Sequence, residues 1–451
     1  MRVLTLIGAG SAVFTRGLLA DLIAADDLGA WEIRLVDVAP EPLRVAARLA
    51  EAMVAARGAG DRFRVVAATD RTTVLPGSDY VVTCVGVGGR PAWQRDDEVN
   101  RSFGIRQPVG DSIMPGGISR LLRTTPVLVE VARDVAGLAP AALFFNYSNP
   151  MTANVQAIER YAGAAVVGLC HGVIHIQREL AALAGAPFER TSSLYAGINH
   201  LTFIYDLRVD GKDAWPAVRE RVRADLAGPP PADSVGSIFP AGANGWNNPF
   251  GWQLFERYGA FPAAGDRHVT EFFPEHFRNG AYYGLTLGDD AFALPEILQW
   301  GEDRYRGMRD QADGVVPIDD AVFERSGGEQ EQLIAIIRAI DADSRATFSC
   351  NVLNRGLIAG LPPHAAVEVP GVATARGIVP MAVPGLSTAL TAILARRLSS
   401  VDLALEGAMT GDRALVAEAM LLDGGVPDAA TAAALTDALI EAQAEHLPRF
   451  R

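Results

Sequence analysis

Cysteine, histidine, carboxylates and glycine-flanked turns recur in this chain at spacings suited to chemistry. Gly168-Leu169-Cys170-His171-Gly172 follows one apolar run, and Gly197-Ile198-Asn199-His200 ends another. If both runs are strands of one sheet, a Cys170 thiolate and a His200 imidazole on neighbouring strand ends can share a divalent metal, leaving open positions for substrate oxygens. The competing reading is plain packing: a buried cysteine and a histidine satisfied by a backbone partner. Near the start, Gly8-Ala9-Gly10-Ser11 sits where a strand pattern turns into a helix pattern, so backbone N–H groups and the helix dipole can hold a pyrophosphate. Val13 replaces the third glycine of the usual pattern. Asp37 ends the second strand pattern, where a carboxylate accepts from an adenosine ribose and repels a 2′-phosphate, favouring NAD over NADP. Val85-Gly86-Val87-Gly88-Gly89 lets a second loop approach the same cofactor.

Such residues need a sheet that gathers strand ends. Strand-like runs at Arg2–Ile7, 32–36, 64–67, 79–85, 142–146 and 165–169 alternate with helical spacings such as Leu18, Leu19, Leu22 and Ile23. This rhythm predicts an α/β fold, a Rossmann-type doubly wound parallel sheet. Beyond about residue 195 the runs 194–198 and 201–207 and the Asp210-Gly211 turn suggest antiparallel strands. The expected division is an NAD-binding domain over 1–195 and an α+β domain over 196–451 for substrate, metal and oligomerisation. Residues 228–268, rich in Pro, Gly, Asn and aromatics, read as an active-site lid. The tail from Leu403 reads as Ala- and Leu-rich helices.

The chain has 451 residues, 49% hydrophobic and 21% charged, which is enough to bury a core without disulfides. Its formal charge of -13, with no basic run, argues against nucleic acid. The uncharged stretches 135–158 and 377–395 each contain two prolines and read as poor membrane spans. Cys84, Cys170 and Cys350 form no C-x-x-C pair and suit a reducing cytoplasm, and the first strand leaves no room for a signal peptide.

The motifs Gly8-Ala9-Gly10-Ser11, Asn149-Pro150-Met151, Cys170-His171-Gly172, Gly197-Ile198-Asn199-His200 and Gly265-Asp266-Arg267-His268 occur in the order found in glycoside hydrolase family 4. Asn351-x-x-Asn354-x-Gly356 and Val367-Glu368-Val369-Pro370 also resemble that family, and the likeness runs to about residue 400. The resemblance implies a lactate/malate dehydrogenase-like sheet and a glycosidase outside the two-carboxylate scheme. In that scheme's place, NAD+ oxidises the sugar C3 hydroxyl, a base removes the acidified C2 proton, the C1 aglycone leaves, water adds and C3 is reduced again. Mn2+ or another divalent metal assists as a Lewis acid, with Cys170 and His200 as its implied ligands. Cofactor contacts are expected at Gly8, Gly10, Ser11, Asp37, Val85, Gly86 and Asn146.

His171-Gly172 resembles the α-galacturonidase and α-glucuronidase members, as do the 249–252 and 258–262 segments, so the expected substrate is an α-linked uronide, galacturonide first. Arg267 and Arg95 are the candidates for its carboxylate, and Asn149 and Asp111 for the sugar. Asp266, or else Tyr258, is expected as the C2 base and His171 as the leaving-group acid. His268 is read as serving Asp266 or the metal, and His175 as packed or on the surface. The family's tendency implies a homodimer or homotetramer. Rivals are an α-glucosidase or α-galactosidase of the same family, a lactate/malate-type dehydrogenase making net NADH, and a silent NAD-dependent sensor.

Overall fold

A strand buried on both faces needs helices above and below it, and the alternation in the first half supplies them. The computed structural model describes residues 1–324 and 332–451. Six strands pair in parallel: β1 (Arg2–Ile7), β2 (Trp31–Val36), β3 (Phe63–Ala68), β4 (Tyr80–Thr83), β5 (Leu143–Asn146) and β6 (Val167–Gly168). Their spatial order is β3-β2-β1-β4-β5-β6, the doubly wound sheet that the sequence predicts. Successive strand residues face opposite ways, as the pleat requires. Leu4, Leu6, Val82 and Phe145 pack on the helices Thr15–Ile23 and Pro40–Ala56. Ile7, Val81 and Phe144 meet the helices Met114–Leu138 and Met151–Ala157 on the other face.

The second half continues this sheet. Its strands are β7 (Thr191–Ile198), β8 (Leu201–Val209), β9 (Lys212–Asp213), β10 (Phe261–Ala263), a separate hairpin β11 (Ala281–Tyr282) and β12 (Leu285–Thr286), then β13 (Thr347–Leu353), β14 (Ala366–Thr374) and β15 (Gly377–Pro380). β6 pairs with β13 antiparallel at Gly168 and Asn351, and β14 joins β7 at Glu368 and Gly197. Each joint is one residue pair wide, and the Cys170 and His200 segments lie beside these joints. The halves also share a core: Met308, Leu333, Ile334 and Ile337 pack against Leu18, Val45 and Leu49.

The stretch read as a lid divides in two. Residues 228–248 have no regular structure, but Pro249–Tyr258 is a helix, β10 pairs with β8, and Gly265–Val269 is a short helix. Phe250, Leu254 and Phe255 recur at helical spacing and are buried, so the core holds this part down. The helical tail begins earlier than Leu403, as Thr388–Thr410, Arg413–Asp423 and Ala429–Ala442. No helix among the described residues is long and apolar enough to cross a membrane.

Candidate active site

At its carboxyl end, β1 runs into a turn that lasts until the helix starts at Thr15. Val13 therefore lies in the turn, where its side chain does not hold the helix off the sheet. Gly10 N donates to Asp37 Oδ2 (2.8 Å) and Ala39 N to Asp37 Oδ1 (2.9 Å). A Cβ on Gly10 would stand 2.6 Å from Pro42 Cβ and 2.8 Å from Asp37 Oδ2, so only glycine lets the β1 and β2 ends close together. Ser11 N donates to Gly8 O (3.1 Å), and Ser11 Oγ accepts from Phe14 N (3.4 Å). Val85 N donates to Ser148 Oγ (2.7 Å), which ties the loop carrying Gly86 to the loop after β5. Asn146 is fully buried: Oδ1 accepts from Thr83 Oγ1 (2.9 Å), and Nδ2 donates to Ser148 O (2.9 Å). It shapes the Asn149-Pro150 turn from below.

That turn reaches Asp111. Asn149 Nδ2 donates to Asp111 Oδ2 (2.9 Å), and Ser112 Oγ donates to Asp111 Oδ1 (2.7 Å) while lying 2.9 Å from His200 Nδ1. Asp111 Oδ1 is 3.7 Å from His200 Nδ1, and the His200 and His268 rings are 3.8 Å apart between centroids. One ligand atom from each of Asp111, His200 and His268 falls within 4.8 Å of the other two. His200 occupies the left-handed region (φ 66°) in the two-residue turn between β7 and β8, a cost paid where the side chain is aimed. A Cβ on Gly197 would stand 2.3 Å from Leu201 O, so this hairpin too depends on a glycine.

Electrostatics prepare these groups for a cation. Burial, helped by the charges of His171 and Arg267 against the pull of Asp111, pushes His200 down to about 4. Burial and the neighbouring His200 push His268 well down as well. Burial alone would raise Asp111, but His200, His268 and Arg120 hold it below the usual carboxylate range. At neutral pH the trio is one carboxylate and two neutral imidazoles, the protonation state that metal ligation requires. Buried His268 Nδ1 has no hydrogen-bond partner among the described residues. Nitrogen and carboxylate donors of this kind fit Mn2+ or a similar divalent ion.

Cys170 lies two residues past β6, close enough to feel the charge of Asp111, and is not one of the trio. Gly172 N donates to its Sγ (3.4 Å) and Gln332 Nε2 to its carbonyl (3.0 Å). Burial and the nearby Glu368 push the thiol up. Glu368 itself is buried, accepting from Thr202 Oγ1 (2.7 Å), Ser349 Oγ (3.0 Å) and Asn351 Nδ2 (3.2 Å), and burial pushes it up to about 7. His171 is the residue before the helix Gly172–Leu183 and lies near His200 and His268.

The remaining expected residues divide between the trio's neighbourhood and the rest of the fold. Asp266 caps the helix Pro249–Tyr258, accepting from Phe250 N, Gly251 N and Tyr282 Oη, each at 2.7 Å. Tyr258 stands at the opposite end of that helix. Arg267 adjoins His268 and acts on both imidazoles, whereas Arg95 is ion-paired to Glu445 (2.7 Å) under the C-terminal helices. Sequence reasoning missed Ser112, Arg120 and Glu271, which accepts from Val109 N and Gly110 N (2.8 Å each) beneath Asp111. Arg120 and Arg123, one helical turn apart in an apolar helix, were a readable signal of inward-facing charge.

Residues 3–186 match the model of family 4 glycosyl hydrolases, and residues 195–426 match the C-terminal domain of the same family. The chain belongs to glycosyl hydrolase family 4. As a member it is a glycoside hydrolase, and its relatives cover several sugars. An α-galactosidase of Bacillus subtilis (strain 168) is 28% identical, spanning 94% of this chain and 93% of its own. An α-galacturonidase of the same organism is 29% identical over 92% of each. Among solved structures, a 6-phospho-α-glucosidase from gut microorganisms in complex with NAD and Mn2+ superposes with a TM-score of 0.84 over 100% of both chains. At 19% identity it shares the fold with this family 4 member.

Proposed function

We propose that this family 4 enzyme hydrolyses α-linked uronides, galacturonide before glucuronide, with NAD+ and Mn2+. The observation that carries the reading is the bridge from Asn149 to Asp111, which joins the cofactor loops to the Asp111, His200 and His268 trio at the carboxyl ends of the sheet. The α-galacturonidase relative and the NAD and Mn2+ held by the 6-phospho-α-glucosidase support it, as does His171-Gly172 after the cysteine.

Gly8, Gly10 and Ser11 would hold the pyrophosphate, Asp37 the ribose, and Val85 and Gly86 the nicotinamide end. His200 and Cys170 would hold the metal, with Asp111 and His268 in reach. When bound, the two groups supply reversible oxidation at C3 and Lewis-acid polarisation of the adjoining oxygens. Asn149 orients the sugar through a hydroxyl while its amide stays tied to Asp111. His171 would give a proton to the departing C1 oxygen. Asp266 takes the C2 proton: burial pushes its carboxyl up to about 7, near the pH at which a general base works best. Oδ1 carries one hydrogen bond, leaving it room to accept a proton.

The test is release of aglycone from an aryl α-galacturonide, expected only with NAD+ and Mn2+ together and with deuterium entering C2 in D2O. Turnover by NAD-free, chelated enzyme, or an unlabelled C2, sinks the mechanism. Net NADH from a 2-hydroxy acid would place the enzyme with the dehydrogenases instead. The α-galactosidase relative makes the neutral α-galactoside the second substrate to try.

A further inference from the structure

The arginines on and near the helix Met114–Leu138 and those expected at the site differ in their partners. Arg95 is ion-paired to Glu445, and Arg267 has contacts of its own. Arg123 is buried and pinned: Nη2 donates to Asp96 Oδ2 (2.6 Å), Nη1 to Ser119 Oγ (3.1 Å) and Nε to Val87 O (3.0 Å). Arg120, one turn earlier on the same helix, is half-buried and makes a single hydrogen bond, from Nε to Asn149 O (3.3 Å). Its guanidinium lies over the Trp93 ring (5.7 Å to the centroid), and Trp93 is fixed by its own bond from Nε1 to Val109 O (2.6 Å). Among the described residues no carboxylate pairs with Arg120, and its Nη groups meet no acceptor.

A guanidinium held on one edge and left open on the other is an anion site, because its fork matches a carboxylate in a bidentate pair. Its location selects the anion. Nη2 would be 3.6 Å from a Cβ on Gly86, Asn149 borders it, and the charge of Asp111 acts on it. The cofactor's pyrophosphate has its own cradle at Gly8, Gly10 and Ser11. Arg120 lies at the sugar end.

We propose that Arg120 grips the carboxylate of the uronide and sets the preference for uronic over neutral sugars, which rests on the substrate reading above. Calorimetric binding of galacturonate and of galactose to enzyme loaded with NAD+ and Mn2+ measures that preference. Arg120→Met is expected to lower the galacturonate-over-galactose ratio about 10- to 100-fold. Arg120→Lys, which keeps the charge without the fork, is expected to recover part of it, and Arg120→Gln serves if the Met variant does not fold. An unchanged ratio, an equal loss of both sugars, or a wild type with no preference overturns the assignment. So does a matching loss of NAD+ affinity, which would make Arg120 a cofactor residue. The two readings fail separately. Wild-type enzyme that prefers galacturonate through Arg120, yet releases no aglycone from an aryl α-galacturonide, loses the hydrolytic reading and keeps this one.

Discussion

His200 shows how one side chain joins sequence and site. Its motif marks it, but its value comes from a left-handed turn that points the imidazole at Asp111 and His268. Cys170 poses the opposite case, since its motif is equally plain while burial keeps the thiol protonated until a cation compensates. We expect Co2+-loaded enzyme to show a near-ultraviolet thiolate-to-cobalt band that Cys170→Ser removes, with Mn2+ affinity falling at least about tenfold in both Cys170→Ser and His200→Ala. A spectrum without that band would leave the metal to Asp111, His200 and His268. His268, read from the sequence as serving Asp266 or the metal, stands beside His200 and Asp111. Arg120 was passed over because a sequence does not say whether an arginine in an apolar helix has found a carboxylate, as Arg123 has with Asp96.

At the scale of elements, the parallel strands were readable because a strand buried on both faces must be apolar throughout, and the glycines at their ends were readable because close approach excludes a Cβ. The helix Pro249–Tyr258 was not read. Its first turn is satisfied by Asp266, from beyond the helix, and its aromatics have the composition of a loop rather than of a strong helix former. Asp266 thus holds an element in place as well as being the proposed base, and the two roles separate experimentally. Asp266→Asn is expected to destabilise the fold by about 1–3 kcal/mol in urea titration through the weakened cap. It is also expected to lower kcat by roughly 100-fold or more and to abolish C2 exchange. Loss of stability with exchange intact would leave Asp266 as a cap alone and turn attention to Tyr258.

For the whole molecule, the continuous sheet sets the site at narrow joints and surrounds it with a core that buries several carboxylates. Burial pushes Glu368 up to about 7, and burial with the charge of Asp111 pushes Glu271 up to about 8, from ordinary values near 4.5. A carboxyl whose folded pKa is raised contributes its stability fully below the unfolded pKa and loses it as pH rises through the folded one. Metal-free protein should therefore lose stability between about pH 5 and 8, by up to a few kcal/mol for each such group. Tm measured at pH 5.5 and 8.5 checks this, and Glu368→Gln is expected to shrink the drop; an identical drop in the variant would refute that origin. The net charge of -13 excludes a broadly basic surface, yet the site is locally poised for anions by Arg120 and Arg267. By itself the sequence determined the doubly wound sheet and the glycine turn after β1, and it marked the Cys170 and His200 segments at strand ends, because strand burial and glycine sterics are local and leave a pattern in residue order. Only the tertiary structure decided that Asp111 and His268 meet His200, that Asp266 caps a helix and that Arg120 has no carboxylate partner among the described residues. Those are questions of which distant groups share one low-dielectric space, and residue order does not record that proximity.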